Sequence, residues 1–453
     1  MNTPRFVQCD RDTLFLMPPS IQDWLPEDHL ARFILDIVSQ LDLRTLENAY
    51  AGRGSDAYPP GMLLALLFYG YATGVFSSRK LEAATYESVA FRYIAANTHP
   101  DHDTIATFRK RFLDQLKPLF AQILMIARTL GVLRLGKVSL DGTKVKANAS
   151  KHKALSWQHA CKLEKQINEE VEALLRQAEE ADKNNLADGM SIPEELARRE
   201  DRLENIAKAK AEIQRRASER YAKEKDAYEK KMAERKVKEQ ETGKNPRGPT
   251  PKPPEPGPKK TDQVNLTDED SRIMPTSGGG FEQTYNAQAG VDMDSMLIVE
   301  NHVTQQPNDK QEIKPALENL TALPDKLGTV DALAADTGYF SEDNVKRCGQ
   351  KHIVPYIATG RDKHNQSLKE RFSEPGPFPE DADAVTKMKH TLKTSEGKKL
   401  YAKRKSTVET VIGIIKAVMG FRQFLLRGLD SVSGEWNLVC IAYNLKRVHA
   451  LTT

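Results

Sequence analysis

Cysteine is scarce and scattered. The 453 residues hold four, Cys9, Cys161, Cys348 and Cys440. None forms a Cys-x-x-Cys pair, which excludes zinc ribbons, thioredoxin-like chemistry and a disulfide framework and makes a reducing cytoplasm the expected home. Long apolar runs are also missing. The longest, Met62 to Tyr69, falls short of the roughly 20 residues that cross a bilayer. The opening residues, Met1 to Phe15, lack the basic-then-apolar order of a signal peptide, so neither a secreted nor a membrane-spanning protein is expected. A dominant charge is absent as well. Lys and Arg number 67 against 63 Asp and Glu, a formal +4, so net charge alone argues for no polyanionic partner. Gly278-Gly279-Gly280 is not followed by Gly-Lys-Ser/Thr, so it reads as a hinge rather than a phosphate cradle.

What is present is uneven. Hydrophobic residues make up 39% and charged ones 29%, a length and balance that suit two or three folded domains with one unusually polar part. Residues 1–135 read as an all-helical domain. Leu30, Phe33, Ile34, Ile37, Val38 and Leu41 recur at helical steps after Pro26-Glu27-Asp28, which is expected in the first turn. Pro59-Pro60 precedes the apolar Met62 to Tyr69 segment; Ser77 or Ser78 is expected to cap Lys80 to Phe91, and Asp103 to cap one helix over Ile105 to Ile126. Arg79, Lys80 and Arg92, then Arg109, Lys110 and Arg111, flank the turn-like Asn97 to Asp101. A helix-turn-helix DNA reader and a solvated basic face fit this pattern equally well. His99 and His102 read as polar turn residues.

Residues 151–260 contain the excess charge: 26 Lys/Arg and 22 Asp/Glu, so 44% of this segment is charged against 24% elsewhere. Leu163, Ile167, Val171 and Leu174 form one helical stripe. Leu203, Ile206, Ile213, Ala217, Tyr221, Tyr228 and Met232 form a second. Asn184 to Pro193 lies between, so two long helices folded back as a hairpin are expected over 155–241, inserted in the chain and serving as a spacer or interaction arm. Residues 242–260 are proline-rich and read as an extended linker.

Strand character appears at Lys137 to Asp141, at Thr284 to Val291 and Met296 to Val303 around a hairpin turn, and at Val330 to Ala335 and His352 to Ile357, with a short helix ending at Asn344 to Gly349. That order predicts an α/β domain with a mixed sheet, made of residues 136–154 and 261–453 and interrupted by the charged insertion. Residues 384–427 hold 11 Lys/Arg against Glu396 and Glu409, a basic stretch suited to phosphates. Leu438, Ile441, Ala442, Leu445 and Val448 make the core stripe of a terminal helix. Asp141 and Asp336 end apolar strands and Glu409 sits in a helix within the basic stretch. Carboxylates placed so are the oxygen ligands that Mg²⁺ takes, although an acid at a strand end is also a common cap. Asp292 and Asp294 compete with Asp336 for the middle position, but their hairpin setting favours turn formation.

Tyr401-Ala402-Lys403-Arg404-Lys405-Ser406-Thr407-Val408-Glu409, continuing to Lys416, resembles the tyrosine-arginine-glutamate-lysine signature of bacterial insertion-sequence transposases with an Asp-Asp-Glu active site. Gly420 to Phe424, Leu426 to Leu429, Glu435 to Leu438 and Asn444 to Lys446 continue the likeness. Asp336-Thr337-Gly338-Tyr339 is similar to the second-aspartate motif of that family and Ser139-Leu140-Asp141-Gly142-Thr143 to the first. Tyr285 to Gln288 and Asn308 to Lys310 are also similar. The resemblance implies a ribonuclease-H-like mixed-sheet catalytic core behind the all-helical N-terminal domain. It implies Asp141, Asp336 and Glu409 as catalytic, metal-binding carboxylates for Mg²⁺, two ions, with Mn²⁺ an acceptable substitute. Tyr401, Arg404 and Lys416 would contact DNA; the spacing departs from the family pattern by one residue, which leaves Arg404 and Lys405 as alternative clamps. Glu409 and Lys416 stand seven residues apart, two helical turns, on one face. The expected activity is cleavage at the ends of an insertion element and transfer of the 3′-hydroxyl into target DNA, in a bacterial, nucleoid-associated protein acting as a homodimer or larger assembly, with no membrane and no ATP. Two rivals stand beside it: a metal-dependent nuclease of the same fold that never joins strands, and a catalytically silent DNA-binding or scaffolding protein.

Overall fold

The computed structural model describes residues 20–50, 57–184, 192–243, 248–276, 278–360, 375–376 and 382–453. Cys9 and most of the connection between the two charged helices, residues 185–191, lie outside the described residues. The chain divides into two compact units: Met1–Val145 with Asn286–Leu426 and Asp430–Thr453, and Lys146–Tyr285 with Arg427–Leu429.

The first unit opens with helices. Leu30–Ser39 buries Ala31, Ile34, Ile37 and Val38 on one face. It begins later than Pro26 suggests, because the His29 ring accepts the Ala31 N–H at 3.1 Å and so caps the helix. Pro60–Thr73 has proline in its first turn, where the missing N–H costs nothing, and ends at Gly74 with φ 86°. Its ten residues Leu63–Ala72 are all buried, which makes it the central helix of this region. No single described helix is long and apolar enough to cross a membrane.

Two expected helices are each broken. Lys80 to Phe91 becomes Ser78–Glu87 and Val89–Ile94, separated by an extended Ser88, in a run of Thr, Tyr, Ser and Val that holds helix weakly. Ile105 to Ile126 becomes His102–Arg111 and Leu116–Thr129 around a 3₁₀ turn. Pro118 explains the break: it is tolerated in the first turn of a new helix and disrupts the middle of an old one. The cap of the first piece is Asp101 rather than Asp103, with its carboxylate accepting the Thr104 N–H at 2.9 Å.

The sheet of this unit places β5 (Phe281–Asp292) between β6 (Ile298–Thr304) and β1 (Lys137–Lys146), followed by β7 (Ala332–Ala335) and β8 (Val354–Ile357). β5 and β6 pair antiparallel, whereas β7 pairs parallel with both β1 and β8. The result is a mixed sheet in an α/β unit with a helical N-terminal region. The terminal helix Leu429–Thr452 is buried without interruption from Glu435 to Leu445, wider than the single stripe expected of it. It is anchored by polar bonds: Trp436 Nε1 donates to the Gln288 carbonyl at 2.9 Å, and Asn444 both accepts from and donates to the Ile298 backbone at 2.8 and 2.7 Å.

The second unit is built on a ribbon of β2 (Ala154–Ser156) and β3 (Gln263–Asn265), too short to leave a sequence pattern. Helix Trp157–Asn184 leaves it and helix Ile192–Thr242 returns. Ion pairs Glu164–Lys210 at 2.6 Å and Glu170–Arg199 at 3.0 Å run in opposite sequence order, so the helices are antiparallel. Their seam is apolar: Ala160, Ile167, Ile206, Ala209 and Ile213 pack with Leu155 and Val264 of the ribbon. The extended stretch after residue 248 is tied to the returning helix, with Arg235 donating to the Gly248 carbonyl at 3.4 Å and Arg220 to the Gly257 carbonyl at 3.2 Å. β4 (Arg272–Pro275) pairs antiparallel with the start of β5, and Gly279 and Gly280, at φ 80° and 85°, form the turn between them.

Candidate active site

Strand register brings the two aspartates level. In the parallel pairing of β1 with β7, Ser139 lies beside Ala334. Asp141 and Asp336 each stand two residues further on, on neighbouring strands that run about 4.8 Å apart; Asp336 follows the end of β7, whereas β1 continues to Lys146, so Asp141 lies within its strand rather than at the end expected of it. Asp336 opens a short 3₁₀ turn, Thr337–Tyr339, and its carboxylate accepts the Gly338 N–H at 2.7 Å. Asp141 accepts the Gly142 N–H at 2.9 Å.

The third acid arrives on helices. Ser395–Ser406 stops at Thr407, whose φ of −110° and ψ of −91° fit no helix, and the chain restarts as Val408–Gly413. That kink lets Arg404 and Glu409 face each other across it. Arg404 Nη2 donates to Glu409 Oε1 at 2.8 Å while Nη1 donates to Asp141 Oδ2 at 3.2 Å. Side-chain exposure rises from 9% at Arg404 through 19% at Asp141 to 45% at Glu409, so the cluster opens to solvent on the Glu409 side. Burial pushes the Asp141 carboxyl up to about 6; Arg404 and the Gly142 N–H oppose the shift, and the like charges of Asp336 and Glu409 reinforce it. The three carboxylates therefore feel one another, with Arg404 as the cation between two of them. Among the described residues, no three His, Cys, Asp or Glu side chains are gathered closely enough to hold an ion as they stand.

The structure separates the two alternative clamps. Arg404 is buried against the acids, with its Cζ 5.9 Å from the Tyr401 ring centroid, whereas Lys405 is exposed. Lys416 is not on a simple continuation of the Glu409 helix, because Ile414–Val418 winds as a π-turn. That widening alters the two-turn step expected between Glu409 and Lys416, and Lys416 Nζ donates to the Lys144 carbonyl of β1 at 2.9 Å. Arg109 departs from the expected basic face. Only 8% exposed, it donates to Tyr71 Oη at 3.1 Å and the Phe76 carbonyl at 3.0 Å, while Lys110 and Arg111 are exposed. The run of three basic residues hid this, although Arg109 stands four residues past Ile105, on the helix face it shares with Ile105 and Phe108.

The competing aspartates are otherwise engaged. Asp292 accepts from the Ser295 N–H at 2.9 Å and Oγ at 2.7 Å, a turn-former's bonds, and Asp294 pairs with Lys403. His99 stacks on Tyr86 and His102 bonds Glu82 at 2.7 Å. Sequence reasoning gave no role to Lys144, Asn286, Gln288 and Asp309. Both amides donate to Asp309 Oδ1 at 2.7 Å, and Lys144 Nζ stands 3.9 Å from it. The only signal was that Tyr285 to Gln288 and Asn308 to Lys310 are similar to family segments of unassigned purpose.

A mixed sheet that presents paired aspartates from adjacent strands, beside a helix-borne glutamate and a buried arginine, has the residue types of a phosphoryl-transfer site. Comparison with known families agrees. Residues 19–111 match the family described as a transposase domain (DUF772), and residues 250–445 match the transposase DDE domain. No curated protein and no solved structure gives a significant match. The chain belongs to the insertion-sequence DDE transposases. The second matched stretch includes Asp336 and Glu409; Asp141 falls in neither stretch, because the charged helices separate it from the rest of the domain.

Proposed function

We propose that the protein cleaves DNA at the ends of its insertion element and joins the freed 3′-hydroxyls to target DNA, on a ribonuclease-H-like core, with Asp141, Asp336 and Glu409 as the catalytic carboxylates. The observation that carries this reading is the link from Asp141 through Arg404 to Glu409, beside an Asp336 aligned by strand register. Three segments far apart in sequence converge there.

These residues fit Mg²⁺ or Mn²⁺. All three offer hard oxygen donors, and burial of Asp141 together with the like charges of Asp336 and Glu409 raises its pKa, a cost that a bound cation would offset. When bound, a pair of such ions activates the attacking oxygen and stabilises the leaving one. The chain's own work is positioning. Asp141 and Asp336 are fixed by their backbone N–H bonds, and Arg404, held by Asp141 and Glu409, is placed to meet the reacting phosphate. Tyr401 lies beside Arg404, Lys416 is held at the Lys144 carbonyl as a further DNA contact, and Lys405 with Lys110 and Arg111 offers exposed positive charge to the DNA backbone. Water and a 3′-hydroxyl are the attacking groups, so no ATP is needed. Two element ends imply a dimer or larger assembly.

Glu409→Gln preserves shape and removes the charge. It is expected to abolish cleavage, a loss of at least about 10³-fold, while end binding and thermal unfolding stay as in the native protein. Retained cleavage would contradict the assignment, and native binding without cleavage would favour a silent DNA-binding protein.

A further inference from the structure

We infer that Asp309 is a positioning residue that fixes the separation of the two catalytic aspartates; the inference rests on the proposed assignment of Asp141 and Asp336. The pairing of β1 with β7 ends at Ser139 and Ala334, two residues short of both aspartates. Beyond that point no β1–β7 rung holds either aspartate, although β1 itself continues to Lys146. Asp309 lies between β6 and helix Ile313–Thr321, and its carboxylate lies beside the glycines that follow soon after each aspartate, Gly142 and Gly338.

One oxygen serves the Asp141 side. Asp309 Oδ1 gathers Asn286 Nδ2 and Gln288 Nε2, each at 2.7 Å. A β-carbon placed on Gly142 would meet Gln288 Nε2 at 2.2 Å, Asp309 Oδ1 at 2.7 Å and Asn286 Oδ1 at 3.0 Å. Gly142 is thus glycine for space, so that β1 just past Asp141 can lie directly on this polar hub. The other oxygen faces the Asp336 side. A β-carbon on Gly338 would lie 3.7 Å from Asp309 Oδ2 and 3.0 Å from Asp336 Oδ1. The hub also holds Tyr339, three residues past Asp336, whose hydroxyl donates to Gln288 Oε1. The backbone just past each aspartate, strand at Gly142 and turn at Gly338, therefore lies beside one carboxylate.

This network does more than satisfy buried amides. A structural role alone predicts that a side chain of the same shape restores function once the protein is folded. A positioning role predicts that the two aspartates lose their spacing, and with it their grip on a divalent ion, in a protein that still folds and binds DNA. Groups supporting a metal site in this way typically change affinity or rate by about 10–100-fold.

The test compares native protein, Asp309→Asn and Asn286→Ala, the last removing one of the two amides that hold Asp309 Oδ1 without touching either catalytic aspartate. Thermal unfolding, Mn²⁺ binding by calorimetry, affinity for element-end DNA and Mg²⁺-dependent cleavage are read on each. Both variants are expected to bind end DNA like the native protein, bind Mn²⁺ at least about tenfold more weakly and cleave about 10–100-fold more slowly. Mn²⁺ affinity and cleavage within twofold of native in folded variants would overturn the inference while leaving the catalytic assignment intact. A native protein that neither binds Mn²⁺ nor cleaves would overturn the assignment itself. Should Asp309→Asn unfold, Asn286→Ala decides.

Discussion

The two units use charge in opposite ways. The helical arm, residues 155–241, holds 40 of the 130 charged residues, with exposed pairs such as Glu204–Lys208 and Glu169–Lys165 on its helix faces. The sheet unit is less densely charged and places several charges inside. Arg404 joins Asp141 to Glu409; Glu435, fully buried, accepts from Tyr71 Oη at 2.9 Å and from the Leu425 and Leu426 N–H groups at 2.9 and 3.0 Å; His302 bridges Glu300 at 2.7 Å and Glu312 at 3.1 Å. A solvated pair is screened and contributes little, whereas a buried one is costly to break because its partner is left without water. Abundance of charge therefore marks where the chain is soluble, and burial of charge marks where it is specific.

That contrast can be broken experimentally. The largest effect is expected at Glu435→Leu, which strands Tyr71 Oη, two backbone N–H groups and, through Tyr71, the buried Arg109. A loss of about 4 kcal/mol in denaturant unfolding is predicted; a change under 1 kcal/mol would show that this network is dispensable.

Next comes His302. Burial lowers its affinity for a proton, but Glu300 and Glu312 outweigh that and raise its pKa from 6.5 to about 9. A cation favoured by folding stabilises fully below the unfolded value of 6.5 and loses that contribution as pH rises through about 9. Unfolding measured from pH 6 to 10 should show a decline of at most about 3 kcal/mol from this group, absent in His302→Gln. An unchanged slope in the variant would remove His302 as its source.

The smallest effects belong to the arm. Ile213→Val, in the apolar seam, should cost about 1 kcal/mol, whereas Lys208→Ala should leave the melting temperature unchanged. A larger effect from Lys208 than from Ile213 would reverse the comparison between the units.

The same contrast explains what was legible in the sequence. The arm's helices and their stripes were readable because helical period is local, and the apolar runs of β6, β7 and β8 announced themselves for the same reason. The three carboxylates proposed as catalytic stand out in the sequence because each lies in a short motif. Asp309 does not, since its meaning depends on Gly142 and Gly338, brought to it from opposite sides of the chain. Arg109 misled because a run of three basic residues looks like a surface; only Tyr71 and Glu435, distant in sequence, show that its first member turns inward. The helix breaks near Ser88 and Pro118 were visible in composition, but a continuous stripe of apolar residues outweighed them.

The central claim is that the converging carboxylates carry out transposition chemistry, and one measurement reaches it directly. Native protein is incubated with Mg²⁺ and labelled DNA bearing the sequences that flank its gene, together with a target plasmid, and the products are sequenced across their junctions. Element ends joined through their 3′-hydroxyls to target DNA are predicted. Ends that are cut but never joined would contradict the account and define a nuclease on the same fold.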